Sequence, residues 1–268
     1  MILDEIAEKT RERVKERKQI VSLPEIREQA LDIVAKETEN GNKPYTIFPF
    51  EEALKAEGIS FICEVKKASP SKGLIAPDFP YVDIAKEYEA AGAAAISVLT
   101  EPYYFQGSND YLKEITENVS IPVLRKDFTV DEYMVYEAKT IGASAILLIC
   151  AILSDEEIAA WIKLAESLGM SALVEAHDEA EVKRAIACGA KIVGVNNRDL
   201  KTFTVDIMNS VRLRKLVPEN TVYVSESGIK EPSDIARLKN NGTDAVLIGE
   251  TFMRSENKKE IFEWLLNN

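Results

Sequence analysis

The sequence predicts a (β/α)8 barrel, and three observations predict it. Eight short apolar runs recur at intervals long enough for a helix between each pair. Four of these runs follow a glycine at a nearly constant spacing. Most runs end in an ionisable or amide residue, as strands do when they deliver side chains to the C-terminal face of a barrel. The chain has 268 residues, 46% of them hydrophobic. That is ample for one large core, and about 250 residues is typical of such a barrel.

The elements follow in order. Residues 1–48 read as an N-terminal helical extension packed on the barrel. Ile2, Leu3 and Ile6 begin one apolar stripe, and Ile26, Ala30, Leu31, Ile33 and Val34 mark a second. An outer brace and a lid over the barrel mouth are both open to it. The first strand is SFICEVK (60–66). The second follows Gly92 (AAAISVL), the third is IPVLRK (121–126) and the fourth follows Gly142 (ASAILLI). The fifth is SALVEA (171–176), the sixth follows Gly189 (AKIVGVN), the seventh is TVYVSE (221–226) and the eighth follows Gly242 (TDAVLIG).

The four glycines are 50, 47 and 53 residues apart, a period of two βα units. Each follows a charged, Ala-rich helical pattern, where glycine fits the left-handed position that closes a helix. The run after it then reads as a strand buried on both faces. No Pro/Gly/Ser-rich linker divides the chain, so residues 1–268 are expected to form one barrel domain.

The strand ends carry the chemistry. The first strand offers Glu64 and Lys66, which lie two apart and so share a face. The third ends at Lys126, followed by Asp127. The fifth reaches Glu175, the sixth Asn196 and the seventh Glu226. Charges buried without partners are costly, so five strands ending this way point to one shared polar cavity. The loops after the seventh and eighth strands, SESG (225–228) and IGE (248–250), fit the phosphate position of such barrels. Gly228 and Gly249 there allow backbone N–H groups to approach an anion. The loop after the first strand, KKASPSKG (66–73), is rich in Lys, Ser and Gly and suits an anionic substrate.

Composition removes other classes. The formal net charge is −12, from 33 Lys and Arg against 45 Asp and Glu, which argues against a nucleic-acid partner. The lone histidine, His177, cannot build a His-rich zinc site or an H-E-x-x-H helix. Acid–base work therefore falls mainly to Lys, Glu, Asp or Tyr. Cys63, Cys150 and Cys188 are odd in number and far apart, and read as reduced core residues. No apolar stretch approaches the roughly 18 residues of a membrane span, and the N-terminus lacks a signal core. A cytoplasmic location with no membrane partner is expected.

These residues resemble the indole-3-glycerol phosphate synthase family. The resemblance spans essentially the whole chain and is most specific at FICEVKKASPSKGLI (61–75). It continues through SVLTE and YFQGS (97–108), PVLRKDF (122–128), LVEAH (173–177), GVNNRDL (194–200), SESGI (225–229) and LIGETFMR (247–254). It implies ring closure of an anionic substrate bearing a carboxylate and a phosphate, with decarboxylation and dehydration and no cofactor or metal. It implies Lys126 as general acid, with Glu175, Lys66 and Glu64 completing the catalytic set. Asn196, Arg198, Glu226, Ser227, Phe105 and Phe128 are implied in substrate binding. Ser227, Gly228, Gly249 and Ser69 are implied at the phosphate. His177 matches no required catalytic position and is taken as structural. Glu250 must point away if backbone N–H groups hold the phosphate. A monomer or weak oligomer is expected, with a partner enzyme of the pathway left open. The Glu64/Lys66 pair, the first-loop signature and the extension speak against a phosphoribosylanthranilate isomerase-type barrel.

Overall fold

The computed structural model describes residues 2–38, 45, 47–199 and 202–267. Eight parallel strands form a closed barrel: β1 (Ser60–Val65), β2 (Ala95–Leu99), β3 (Val123–Lys126), β4 (Ala145–Ile149), β5 (Ser171–Ala176), β6 (Ile192–Asn196), β7 (Val222–Glu226) and β8 (Ala245–Ile248). Each pairs with its neighbour in sequence, and β1 closes on β8 from Ser60↔Ala245 to Cys63↔Ile248. The helices are α1 (Ile2–Ile20), α2 (Leu23–Thr38), α3 (Pro49–Leu54), α4 (Tyr81–Ala91), α5 (Asn109–Thr116), α6 (Glu132–Thr140), α7 (Asp155–Ser167), α8 (Glu179–Ala187), α9 (Met208–Leu213), α10 (Pro232–Asn240), α11 (Glu250–Met253) and α12 (Lys258–Leu266). The loop after β1 folds into a small hairpin pairing Ala68–Ser69 with Gly73–Leu74.

The glycine repeat has a structural cause. Gly92, Gly142, Gly189 and Gly242 all have positive φ, at 105°, 86°, 90° and 75°. In each case the next residue donates its N–H to the carbonyl five positions back: Ala93 to Tyr88, Ala143 to Ala138, Ala190 to Ala185 and Thr243 to Leu238. This is the helix-closing turn that a left-handed residue permits. The strand starts three residues after the glycine every time. Gly169, at φ 75°, closes α7 in the same way before β5.

Strand pleating aims the site. Side chains alternate between two cores. One, inside the barrel, includes Ile62, Leu124, Leu173, Ile192, Val224 and Leu247; the other, between strands and helices, includes Phe61, Cys63, Val65, Val123 and Val174. The polar residues stand two or four positions beyond inner ones: Ile62 leads to Glu64, Leu124 to Lys126, Leu173 to Glu175, Ile192 to Asn196, and Val224 to Glu226. The inner apolar layer thus directs them to a common end. At the opposite end α3 adds Phe50 and Leu54 to the inner core.

The extension has two roles. Helix α1 buries Leu3, Ile6, Ala7, Thr10 and Val14, and Ile2, Leu3 and Ile6 border the cavity at the barrel mouth. Helix α2 packs along α6 as a brace. Its expected stripe is narrower than the sequence implied: Ile26 and Ala30 are buried, but Leu31 is 45% exposed. Residues 1, 39–44 and 46 of the expected 1–48 extension lie outside the described residues. Cys63 and Cys150 are buried free thiols, whereas Cys188 is only half-buried at the end of α8, a departure from the expected core position. Among the described residues no helix is long and apolar enough to cross a membrane.

Candidate active site

A cavity of about 660 Å³ opens at the C-terminal ends of the strands. Every residue placed at the site from the sequence borders it, and the charged centre is Lys126. Its Nζ donates to Glu175 Oε2 at 2.8 Å and to Glu226 Oε2 at 2.9 Å. Both carboxylates are almost wholly buried. Asn196 Nδ2 donates to the other oxygen of Glu175, at 3.2 Å. Lys66 donates to Glu64, forming a second lysine–glutamate pair in the same cavity.

The electrostatics follow from this arrangement. Burial alone would drive the proton off Lys126, but Glu175, Glu226 and Glu64 outweigh it and hold the ammonium well above its usual pKa. Lys126 therefore carries a proton at neutral pH. Burial opposes ionisation of Glu175, yet Lys126 and His177 keep it well below the usual carboxylate range. Glu226 goes the other way. Burial, joined by repulsion from Glu175, prevails over Lys126 and raises its pKa to about 7. Its Oε1 is buried without a hydrogen-bond partner, against the face of Gly194, where a Cβ would meet it at 2.2 Å. Two carboxylates sharing one ammonium are thus driven apart in pKa.

The loops after β7 and β8 form another part of the wall. Ser227 and Gly228 both have positive φ, 68° and 86°, so the backbone turns sharply beside the cavity. Gly249 packs close to the Lys66–Glu64 pair; a Cβ there would lie 2.4 Å from Glu64 Oε2 and 2.8 Å from Lys66 Nζ. Ser69 borders the cavity from the β1 loop. The Glu250 carboxylate is taken up by Lys72 at 3.4 Å and Arg254 at 3.1 Å. Phe105 and Phe128 stand 6.1 Å apart, both half-buried against the cavity. The Arg198 backbone N–H donates to Asn196 Oδ1 at 3.0 Å, and its guanidinium reaches the Phe203 carbonyl at 3.4 Å.

Other residues shape the site through contacts that the sequence did not disclose. Glu101 ends the β2 segment by the same rule as the other strand-end charges. Its carboxylate instead accepts three backbone N–H groups, from Tyr103, Tyr104 and Phe105, and so fixes the loop that carries Phe105. Asn197 ties the ends of β6 and β7 together by donating to Ser225 Oγ and the Ser227 carbonyl, both at 3.0 Å. Asp127, next to Lys126, accepts two bonds from Arg13 of α1 at 2.8 and 2.9 Å. The NN doublet and the strand-end position of Glu101 were visible signals. The Arg13–Asp127 pair, 114 residues apart, left none.

Comparison with known proteins points to one family. The family model described as "Indole-3-glycerol phosphate synthase" matches residues 3–265. A protein of that name from Ruminiclostridium cellulolyticum is 58% identical, the match covering 95% of each chain. One from Endomicrobium trichonymphae is 53% identical, covering 97% of each. Among solved structures, a 3-hexulose-6-phosphate synthase is similar with a TM-score of 0.60 at 14% identity, over 77% of this chain and 98% of that one. Thiamine phosphate pyrophosphorylase from Pyrococcus furiosus gives 0.59 at 14% identity, over 80% and 95%. These structural likenesses carry the barrel fold alone.

Proposed function

The chain belongs to the indole-3-glycerol phosphate synthase family, and from that premise we propose how its strand-end lysines and glutamates divide the work. The enzyme is a carboxy-lyase of tryptophan biosynthesis. It closes the ring of 1-(o-carboxyphenylamino)-1-deoxyribulose 5-phosphate and releases carbon dioxide and water, leaving indole-3-glycerol phosphate. The observation that carries the division of roles is the Lys126 ammonium held between Glu175 and Glu226 inside the cavity.

The aromatic carbon bearing the carboxylate attacks the ketone carbon. Lys126 gives its proton to the ketone oxygen as the bond forms. Loss of carbon dioxide returns the bonding electrons to the ring. Elimination of the new hydroxyl as water, with removal of a proton from the closed ring, completes the indole. The carboxylates keep Lys126 loaded with a proton. Glu226, near its midpoint at neutral pH, can take up a proton, and the ammonium then loses one counter-charge and becomes a stronger donor. Lys66 and Glu64 supply the second acid–base pair, which fits the dehydration. Either Glu64 or Glu175 takes the final proton; comparing Glu64→Gln with Glu175→Gln for accumulation of the undehydrated intermediate separates the two.

The substrate phosphate is assigned to Ser227, Gly228 and Gly249, with Ser69 closing from the β1 loop. The pairing of Glu250 with Lys72 and Arg254 supports backbone rather than Glu250 side-chain contact there. The substrate carboxylate and hydroxyls fall to Lys66, Asn196 and Arg198. Phe105 and Phe128 flank the aromatic ring, which Leu3 and Ile6 of α1 cover. Residues 1–268 act as one barrel domain, a cytoplasmic monomer or weak oligomer in which α1 completes the mouth. The test is to add the substrate and follow the fluorescence of the indole product. Turnover supports the assignment; folded protein that makes no product where an active control does would overturn it.

A further inference from the structure

The only histidine of the chain lies two residues beyond the strand-end Glu175, outside the mechanism above. Its ring is sandwiched between two carboxylates. Nδ1 lies 3.0 Å from Glu181 Oε2 on α8, and Nε2 lies 3.3 Å from Glu175 Oε1 on β5. Glu181 is itself fixed, because the same Oε2 accepts the His177 backbone N–H at 2.8 Å. The His177 carbonyl is fixed in turn by Asn209 Nδ2 at 2.9 Å. Nε2 is buried from water and makes no hydrogen bond; Glu175 faces it at ion-pair distance only.

An ionised carboxylate only accepts, and a neutral imidazole can donate from only one nitrogen. With Nδ1–H committed to Glu181, a neutral ring would turn its Nε2 lone pair on Glu175. A ring that carries both protons instead sets one positive charge between the two carboxylates, within 3.3 Å of each. We infer that His177 is a positioning residue for the reaction: an imidazolium, oriented by Glu181, that holds Glu175 ionised and aimed at Lys126 and Asn196. This rests on the roles proposed for Glu175 and Lys126, and it completes an alternating row of charges, Glu181, His177, Glu175, Lys126 and Glu226. Burial opposes the charge on the ring, but Glu175 and Glu181 outweigh it and raise its pKa to about 10. The other ionisable groups around the contact do not offset this. The Cys150 thiol is pushed up to about 12 mainly by burial and stays neutral. Arg184 is engaged with Asp155 at 2.6 Å, and Asp178 caps α8 through the Glu181 N–H.

A single histidine makes the test direct. In the nitrogen-15 NMR spectrum of the intact enzyme, both ring nitrogens of His177 are expected to be protonated from pH 6 to 8.5, with the transition near 10. Glu175→Gln should bring that transition down by a unit or more. A ring that titrates near 6.5, or a neutral tautomer at pH 7, overturns the inference whatever the activity. Kinetics supply the second arm. His177→Gln keeps a donor but no charge; it should lower kcat about tenfold, leave KM nearly unchanged, and move the acid limb of the kcat profile to higher pH. A folded His177→Gln enzyme with wild-type kcat and an unmoved acid limb also overturns it. Should that variant not fold, Glu181→Gln is read instead and should likewise shift the acid limb upward; an unmoved limb there counts against the inference. Full activity in Lys126→Ala would refute the proposed reaction roles but leave the charged ring standing in the NMR arm, so the two failures are distinguishable.

Discussion

Replacing Arg13 by Met should separate α1 from the barrel mouth. Arg13 grips both oxygens of Asp127, at 2.8 and 2.9 Å, and Asp127 is fully buried while Arg13 is 12% exposed. Breaking a buried pair from one side costs about 3–5 kcal/mol, because a charge is left uncompensated. Asp127 keeps the Thr100 hydroxyl at 2.7 Å and Arg125 at 3.5 Å, so the lower end applies, about 3 kcal/mol. For a chain of this size that corresponds to a fall in Tm of roughly 6–12 °C. The assay is thermal unfolding followed by circular dichroism, for Arg13→Met, Asp127→Asn and the double variant. The double variant should recover much of the loss, since no buried charge then lacks its partner. The pH dependence has a fixed sign. Although burial opposes it, Arg13 and Arg125 hold the Asp127 pKa below its ordinary value. The stability it contributes is present above the usual Asp pKa, about 3.9, and is lost as pH falls through the depressed value. The gap between wild type and Arg13→Met should therefore narrow below about pH 4. Because Leu3 and Ile6 border the cavity, KM should rise as α1 loosens. An Arg13→Met enzyme melting within about 1 °C of wild type would show that the pair does not hold α1 on the barrel.

Further predictions bear on the site. Gly194→Ala places a Cβ 2.2 Å from Glu226 Oε1, forcing that carboxylate to shift by about an ångström relative to Lys126; kcat should fall by roughly 10²-fold, and unchanged steady-state kinetics would show that Glu226 is not needed in place. Glu226→Gln removes a buried carboxylate whose pKa is raised to about 7. A raised carboxylate favours the fold below its unfolded pKa and loses that advantage as pH rises through the folded value, so the Tm of Glu226→Gln relative to wild type should climb between about pH 4.5 and 7. A pH-independent difference would contradict this. Gly228→Asp sets a negative side chain at φ 86°, on a backbone where a Cβ meets Val205 Cγ1 at 2.4 Å; KM should rise well beyond any change in kcat, and unaltered KM would move the phosphate elsewhere.

What the sequence disclosed depended on how local the cause was. The turns at Gly92, Gly142, Gly189 and Gly242 are made by backbone within six residues, and so they could be read with the strands that follow. Convergence of Glu64, Lys126, Glu175, Asn196 and Glu226 was legible because pleating couples each to the apolar residues before it. Glu101 shows the limit of the same rule: a strand-end carboxylate that serves its own loop. The protonation of Lys126 could not be read, since burial and three carboxylates from other strands oppose one another. His177 looked structural although both partners are close in sequence, because the turn from β5 into α8 decides which way its ring faces. Leu31 looked buried because periodicity cannot tell how much of a stripe the neighbouring helix covers.

In the roles proposed above, Lys126 delivers the proton that makes ring closure possible. The most direct test of that role is the steady-state and single-turnover kinetics of Lys126→Ala, in protein shown by circular dichroism to be folded, with the indole product followed by fluorescence. The kcat should fall at least about 10²-fold with KM little changed, as for a group that acts only in the transition state. A folded Lys126→Ala enzyme with near-normal kcat would contradict it.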